Sequence, residues 1–176
     1  MKNTQFHQTL FYRTDAGIHE KILDFLSQGI DEHVRCVFLT TQDDANLILQ
    51  LLKEKNLSSD VVKLFSYFNL PDPIRDSELF EKKMEKIKSL ILNPEFHGRI
   101  AFNVLGDMSR FSIKLISEIA EIEKFLDSLS CKQIKLFCSF KTGKNNASSL
   151  EMMKMAMSTH DHAIFENESF SQVIIR

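Results

Sequence analysis

Three stretches of this chain are apolar almost without interruption: VRCVFLT at 34–40, RIAFNVL at 99–105 and IKLFCSF at 134–140. Each stands between longer segments whose apolar residues recur every third or fourth position. A strand apolar on both faces has none to give to water, and the sheets that accept such strands are parallel ones with helices on both sides. That alternation predicts an α/β fold, a three-layer α/β/α sandwich around a mostly parallel sheet. A first strand is expected at His7 to Tyr12, followed by a helix that turns Ile18, Ile22, Phe25 and Leu26 inward and is stopped by Gly29. Further helices are expected over 42–55, through Phe80, Met84, Ile87 and Ile91, over 111–129, and over 148–157. A third strand is expected at 61–67, and a closing pair of edge strands at 163–165 and 172–175. No repeat, low-complexity segment or linker divides the chain, so residues 1–176 read as one domain.

The chain's 176 residues are enough to bury roughly 70% of the surface the unfolded chain would expose, so no disulfide or metal is required for folding. A formal net charge of −2, with lysines interleaved among glutamates as in EKKMEKIK, offers no basic field for a phosphate backbone; nucleic acid is not an expected direct partner. Cys36, Cys131 and Cys138 are odd in number, and Cys36 and Cys138 sit inside apolar runs without C-x-x-C spacing, which argues against a disulfide framework or a thiolate zinc site; they read as small buried hydrophobes. With no apolar leader in MKNTQFHQTLFYR and no run long enough to span a bilayer, a cytoplasmic protein without membrane contact is expected.

The turn Gly106-Asp107 follows the middle apolar run, where nucleotide hydrolases hold magnesium through an acidic residue. Such chemistry needs a loop G-x-x-x-x-G-K-[ST] after the first strand, whose glycines let backbone N–H groups close on phosphates. The corresponding turn, LFYRTDAGIHEKIL, has the single glycine Gly17. Gly143-Lys144, in KTGKNN, is followed by Asn145 where a magnesium-binding hydroxyl belongs. Asp107 or Ser109 is therefore expected to cap the following helix, with ligand contact by Asp107 as the alternative.

His7 with Phe11-Tyr12, DFLSQGI at 24–30, GDMSRF at 106–111, Glu123, LFCSF at 136–140 and STHDHAI at 158–164 resemble, in this order, the signature segments of the MEDS family. That family is the sensory domain of methanogens, methylotrophs and a dichloromethane-responsive regulator. The resemblance implies a RecA/KaiC-like fold that has lost its Walker A loop, and a non-catalytic sensory or signal-transduction role. It also implies a small-molecule ligand, and a signalling partner such as a histidine kinase or transcription regulator. Two positions depart from the pattern: Asp107 stands where the family commonly has Glu, and Arg110 where an aromatic is usual.

In open α/β sheets ligands collect beyond the carboxyl ends of the strands. This rule nominates Tyr12, Arg13 and Asp15 after the first strand, and Thr40 and Thr41 after the second. After the middle strand it nominates Asp107, Met108 and Arg110, and after the next Lys141; Glu123 is added by the resemblance alone. Arg13 and Arg110 suit an anionic ligand, or else pair with Asp15 and Asp107. His160 and His162 flank Asp161, but H-x-H lacks a third ligand; His7, His19, His33 and His97 have no supporting spacing, so no metal or other cofactor is expected. Met152, Met153, Met155 and Met157 cannot all share one helical face and suit either core filling or an adaptable surface. Two alternatives to a ligand sensor stand: an interaction module acting by homodimerisation or partner docking, and a divergent ATP-binding enzyme using Asp107 and Lys144.

Overall fold

A computed structural model describes residues 7–14, 17–40, 42–54, 65–72, 74–93, 96–129, 134–143, 147–160, 162–166 and 171–175. Strands β1 (His7–Tyr12), β2 (Arg35–Thr40), β3 (Phe65–Asn69), β4 (Gly98–Asp107), β5 (Ile134–Lys141), β6 (His162–Glu166) and β7 (Ser171–Ile175) form one sheet in the order β3-β2-β4-β5-β1-β6-β7. The first six in that order run parallel, and β7 returns antiparallel along β6. The helices are α1 (Ile18–Asp31), α2 (Gln42–Glu54), α3 (Ser77–Ile91), α4 (Ile113–Leu129) and α5 (Ala147–Thr159).

Alternate strand residues point to opposite faces, so each double-sided strand feeds two cores. On one face Leu10, Cys36, Phe38, Ala101 and Phe137 pack against Ile18, Ile22, Leu26 and Ile30 of α1 and Ile48 and Leu52 of α2. On the other, Phe11, Val37, Leu39, Ile100, Phe102, Leu136 and Phe140 pack against α3, α4 and α5. The three-layer α/β/α sandwich expected from the apolar runs is what forms. Met152 is fully buried in the second core, and Met153, Met155 and Met157 lie partly buried against it, so the methionines of α5 serve as core filling.

Local boundaries correct several expectations. Gly29 does not stop α1 but lies inside it, where a Cβ would meet Cys36 Sγ at 2.6 Å and Arg99 Cδ at 2.7 Å; the glycine lets helix and sheet close on each other. The stop comes at His33, in the left-handed region at φ 59, where His33 N–H donates to Ile30 O (3.0 Å) and Val34 N–H to Gly29 O (2.9 Å), the paired bonds of a Schellman motif. Helix α4 begins two residues later than expected, because Met108–Arg110 form a 3-10 turn. Its cap is Ser112, whose Oγ accepts from Leu115 N–H at 3.2 Å, not Asp107 or Ser109. The third strand extends to Asn69; residues 61–64, expected to open it, lie outside the described residues.

Behind the amino edge of the sheet, Arg99 on β4 is 4% exposed and forks onto Glu32 just after α1, Nη2 to Oε1 at 2.8 Å and Nε to Oε2 at 3.3 Å; Lys135 on β5 reaches the same carboxylate at 2.9 Å. The hydrogen bond from Arg99, with help from Lys135, holds the Glu32 carboxyl below its usual range. Burial pushes the Cys36 thiol up to about 12, so it is an inert core group.

Candidate functional site

The sheet order places β2, β4, β5 and β1 side by side, and on the α1/α2 face their carboxyl ends present polar side chains where an apolar strand would continue its core. Register puts Asn103 beside Ser139 and Ser139 beside Leu10, with Tyr12 two residues further along β1; Thr40 and Asn103 each follow directly on the last β2–β4 pair, Leu39 and Phe102. Thr40 and Ser139 are fully buried, and Asn103 and Tyr12 are each 4% exposed. The first turns of the two overlying helices add His19 and Asp44.

These six residues share one hydrogen-bond network. The Tyr12 and Ser139 hydroxyls both donate to Asn103 Oδ1, at 3.1 and 3.0 Å. With its oxygen taken, Asn103 turns its amide nitrogen to Asp44 Oδ2 at 3.2 Å, and the Thr40 hydroxyl donates to the same oxygen at 3.2 Å. His19 Nε2 contacts the other carboxylate oxygen at 2.8 Å. Donors from β2, β4 and α1 thus converge on a single carboxylate, and the Asn103 amide relays the β1 and β5 hydroxyls to it. His19 and Asp44 are the partly exposed members, with side chains 19% and 25% accessible, so the network meets solvent through them.

Above them the chain enters α1 at Gly17, φ 83, a left-handed conformation that glycine adopts without strain; a Cβ there would have nothing within 4 Å. Thr142 ties this turn to the end of β5, its N–H and hydroxyl both donating to Tyr12 O, at 2.7 and 3.0 Å. A carboxylate and an imidazole can accept hydrogen bonds from a small polar molecule, the N–H groups of the helix entrance can donate to it, and the donors behind Asp44 hold that carboxylate in place.

Of the residues nominated from sequence, Tyr12 and Thr40 belong to this network. Arg13 is exposed just beyond β1. Asp15 and Thr41 lie outside the described residues. The backbone of Asp107 pairs with Lys141 across a register shift after Val104, while its side chain lies outside what is described. Met108 is fully buried in the core on the opposite face of the sheet, among Phe111 and other apolar side chains, and Arg110 is exposed at the end of the 3-10 turn. Glu123 lies ten residues into α4, about 15 Å of helix away from the carboxyl edge where α4 begins; its side chain too is outside the description.

Sequence reasoning missed Asn103, Ser139, Asp44 and His19. Asn103 and Ser139 are polar interruptions of otherwise apolar strands, and that interruption was the available signal; Asp44 and His19 look like ordinary first-turn helix residues until the fold brings them together.

A second polar cluster lies at the opposite edge of the sheet and on the α3–α5 face. His7, Cys138 and His160 are 0%, 1% and 2% exposed, and one donor atom from each lies within 4.8 Å of the others. No helix among the described residues is long and apolar enough to cross a membrane.

No family model matches the chain, and no curated protein does either. Among solved structures the chain is similar to the crystal structure of the RadB recombinase, with a TM-score of 0.65 and 11% identity over 97% of this chain and 80% of that one. At that identity the likeness establishes the fold, a RecA-like α/β arrangement.

Proposed function

We propose that this chain is a non-catalytic sensory domain on a RecA-like frame, of the MEDS kind, which binds a small ligand at the carboxyl edge of its sheet through Asp44 and His19. The observation that carries this reading is the network itself. Four buried side chains from four adjacent strands are spent on fixing one partly exposed carboxylate at the place where open α/β sheets collect ligands. An ion that only capped a helix would not need that support. The ligand class that suits the site is a small molecule carrying a hydrogen-bond donor, an amine or a hydroxyl, with Arg13 available for an anionic group beside it.

An ATPase reading has less support, since the turn between β1 and α1 lacks G-x-x-x-x-G-K-[ST] and its one glycine is occupied in starting the helix. Output would pass by contact to a histidine kinase, a regulator or a second copy.

Thermal-shift screening of small amines, alcohols and amino acids tests the proposal. A binder present at 100 times its Kd stabilises by about 2.7 kcal/mol, a shift of about 5–10 °C for a domain of this size. Asp44→Asn should abolish that shift while the variant stays folded. Binders whose shift survives Asp44→Asn would move the site elsewhere, and stabilisation by magnesium ATP with turnover would replace the sensor by an enzyme.

A further inference from the structure

We propose that His7, Cys138 and His160 form a binding site for one soft transition-metal ion of the zinc class, separate from the carboxyl-edge network. His7 opens β1; Cys138 lies on the neighbouring strand β5, one residue pair further along the same face, opposite Thr9; His160 directly follows α5, which returns the chain to the amino edge of the sheet. The three residues are far apart in sequence but share one point of the core, and imidazole and thiolate are the donors that zinc and its neighbours prefer over calcium or magnesium.

The geometry is near what an ion requires. With metal–nitrogen bonds of about 2.0–2.1 Å and metal–sulfur bonds of about 2.3 Å, donors around a tetrahedral ion stand about 3.3–3.6 Å apart. His7 Nε2 and Cys138 Sγ are already 3.6 Å apart, and all three donors lie within 4.8 Å of one another. The remaining approach is about an ångström, within the reach of side-chain rotation. The imidazole rings of His7 and His160 lie with centroids 3.7 Å apart.

Two further observations point the same way. His160 Nδ1 is 2.6 Å from Ala156 O, and a contact with a carbonyl oxygen requires Nδ1 to carry the proton, which makes Nε2 the nitrogen able to ligate. A histidine that donates its other ring N–H to a backbone carbonyl is the usual outer support of a metal ligand, fixing tautomer and ring orientation together. The same bond also closes the last turn of α5, so capping and ligation are compatible. Beside the cluster, Thr9 lies on the same face as His7 and across from Cys138, and its fully buried hydroxyl has no hydrogen-bond partner among the described residues. A buried hydroxyl of this kind beside two imidazoles and a thiol calls for a polar occupant.

Binding exchanges the Cys138 thiol proton, released to solvent, for the ion, and leaves both imidazoles neutral. Three protein donors occupy three of the four tetrahedral positions.

The test uses the whole chain, equilibrated with a small excess of Zn2+ and desalted, with metal content read by elemental mass spectrometry and Co2+ as the spectroscopic substitute. One zinc per folded chain is expected, with X-ray absorption reporting one sulfur at about 2.3 Å and nitrogen at about 2.0–2.1 Å. The Co2+ form should carry a thiolate charge-transfer band. The combined variant Cys36→Ala, Cys131→Ala leaves Cys138 as the one thiol and should keep all three signals. Cys138→Ala and His160→Ala should each weaken binding by more than the roughly 10–100-fold that losing an outer support costs. A folded wild-type chain that retains no zinc, a bound ion without a sulfur neighbour, or unchanged affinity in Cys138→Ala would each overturn the site. Where that variant does not fold, the wild-type stoichiometry and X-ray absorption decide alone.

Discussion

Asn103→Leu removes the relay at the centre of the carboxyl-edge network while nearly preserving volume. The Asn103 side chain accepts from Tyr12 at 3.1 Å and from Ser139 at 3.0 Å and donates to Asp44 at 3.2 Å. A buried group that loses its partner costs about 1–3 kcal/mol. Tyr12, 4% exposed, stands near the middle of that range. Ser139 costs less, because Phe102 O at 3.4 Å remains within its reach. Asp44 keeps Thr40 and His19 and loses least. Leucine returns about 1 kcal/mol of apolar burial, so the net loss is about 2 kcal/mol, or roughly 4–8 °C in Tm for a domain of this size.

The decisive measurement is a double-mutant cycle by urea denaturation with Tyr12→Phe, which by itself costs about 1 kcal/mol. Because the two residues share a bond, the double variant should cost about 1 kcal/mol less than the sum of the singles. Additivity to within about 0.3–0.5 kcal/mol would show that the bond does not form in solution and would remove the support attributed to Asp44.

Three further outcomes are expected. Gly29→Ala places a methyl group against Cys36 Sγ and Arg99 Cδ and should destabilise by about 1–3 kcal/mol of overpacking, less up to about 1 kcal/mol of helix propensity; equal or higher stability in a melt would contradict the close approach. His33→Gly relieves the left-handed backbone at φ 59 and loses the 3.2 Å contact of Nδ1 with Ile30 O, for a net gain of about 0.5–1 kcal/mol; a lower denaturation midpoint would refute the cap. Glu32→Gln removes a carboxylate whose folded pKa is depressed, so its contribution is complete above the ordinary value of 4.5 and is lost as pH falls through the depressed one. The deficit at neutral pH, about 1 kcal/mol or less for a side chain 43% exposed, should shrink in acid, and a pH-independent deficit would contradict the ion pair with Arg99.

The fold was legible because burial on both faces leaves a mark that no local choice can hide: VRCVFLT and IKLFCSF admit few environments besides the middle of a helix-covered sheet. Boundaries were less legible. Gly29 looked like a stop because glycine is a poor helix former, yet it is kept inside α1 by the tight approach of Cys36 and Arg99, which is a tertiary fact. His33 carries no sequence mark of a cap, since the left-handed conformation is more usual for glycine or asparagine. Tyr12 and Thr40 followed from the rule about strand ends. Asn103 and Ser139 did not, because a single polar residue in an apolar run weighs little until strand order places the two side by side. His7, Cys138 and His160 were out of reach for the same reason: their proximity depends on β1 lying beside β5.

That placement of β1 also governs when the molecule can assemble. β1 pairs with two strands that follow it far along the sequence, His7 against Leu136 and Gln8 against His162, so during synthesis it must wait, unpartnered, until those strands have left the ribosome. Pairings this remote in sequence are slow to form. Premature termination anywhere before β5 therefore yields a fragment in which β1 lacks both neighbours, a substrate for proteases and chaperones rather than a smaller version of the domain.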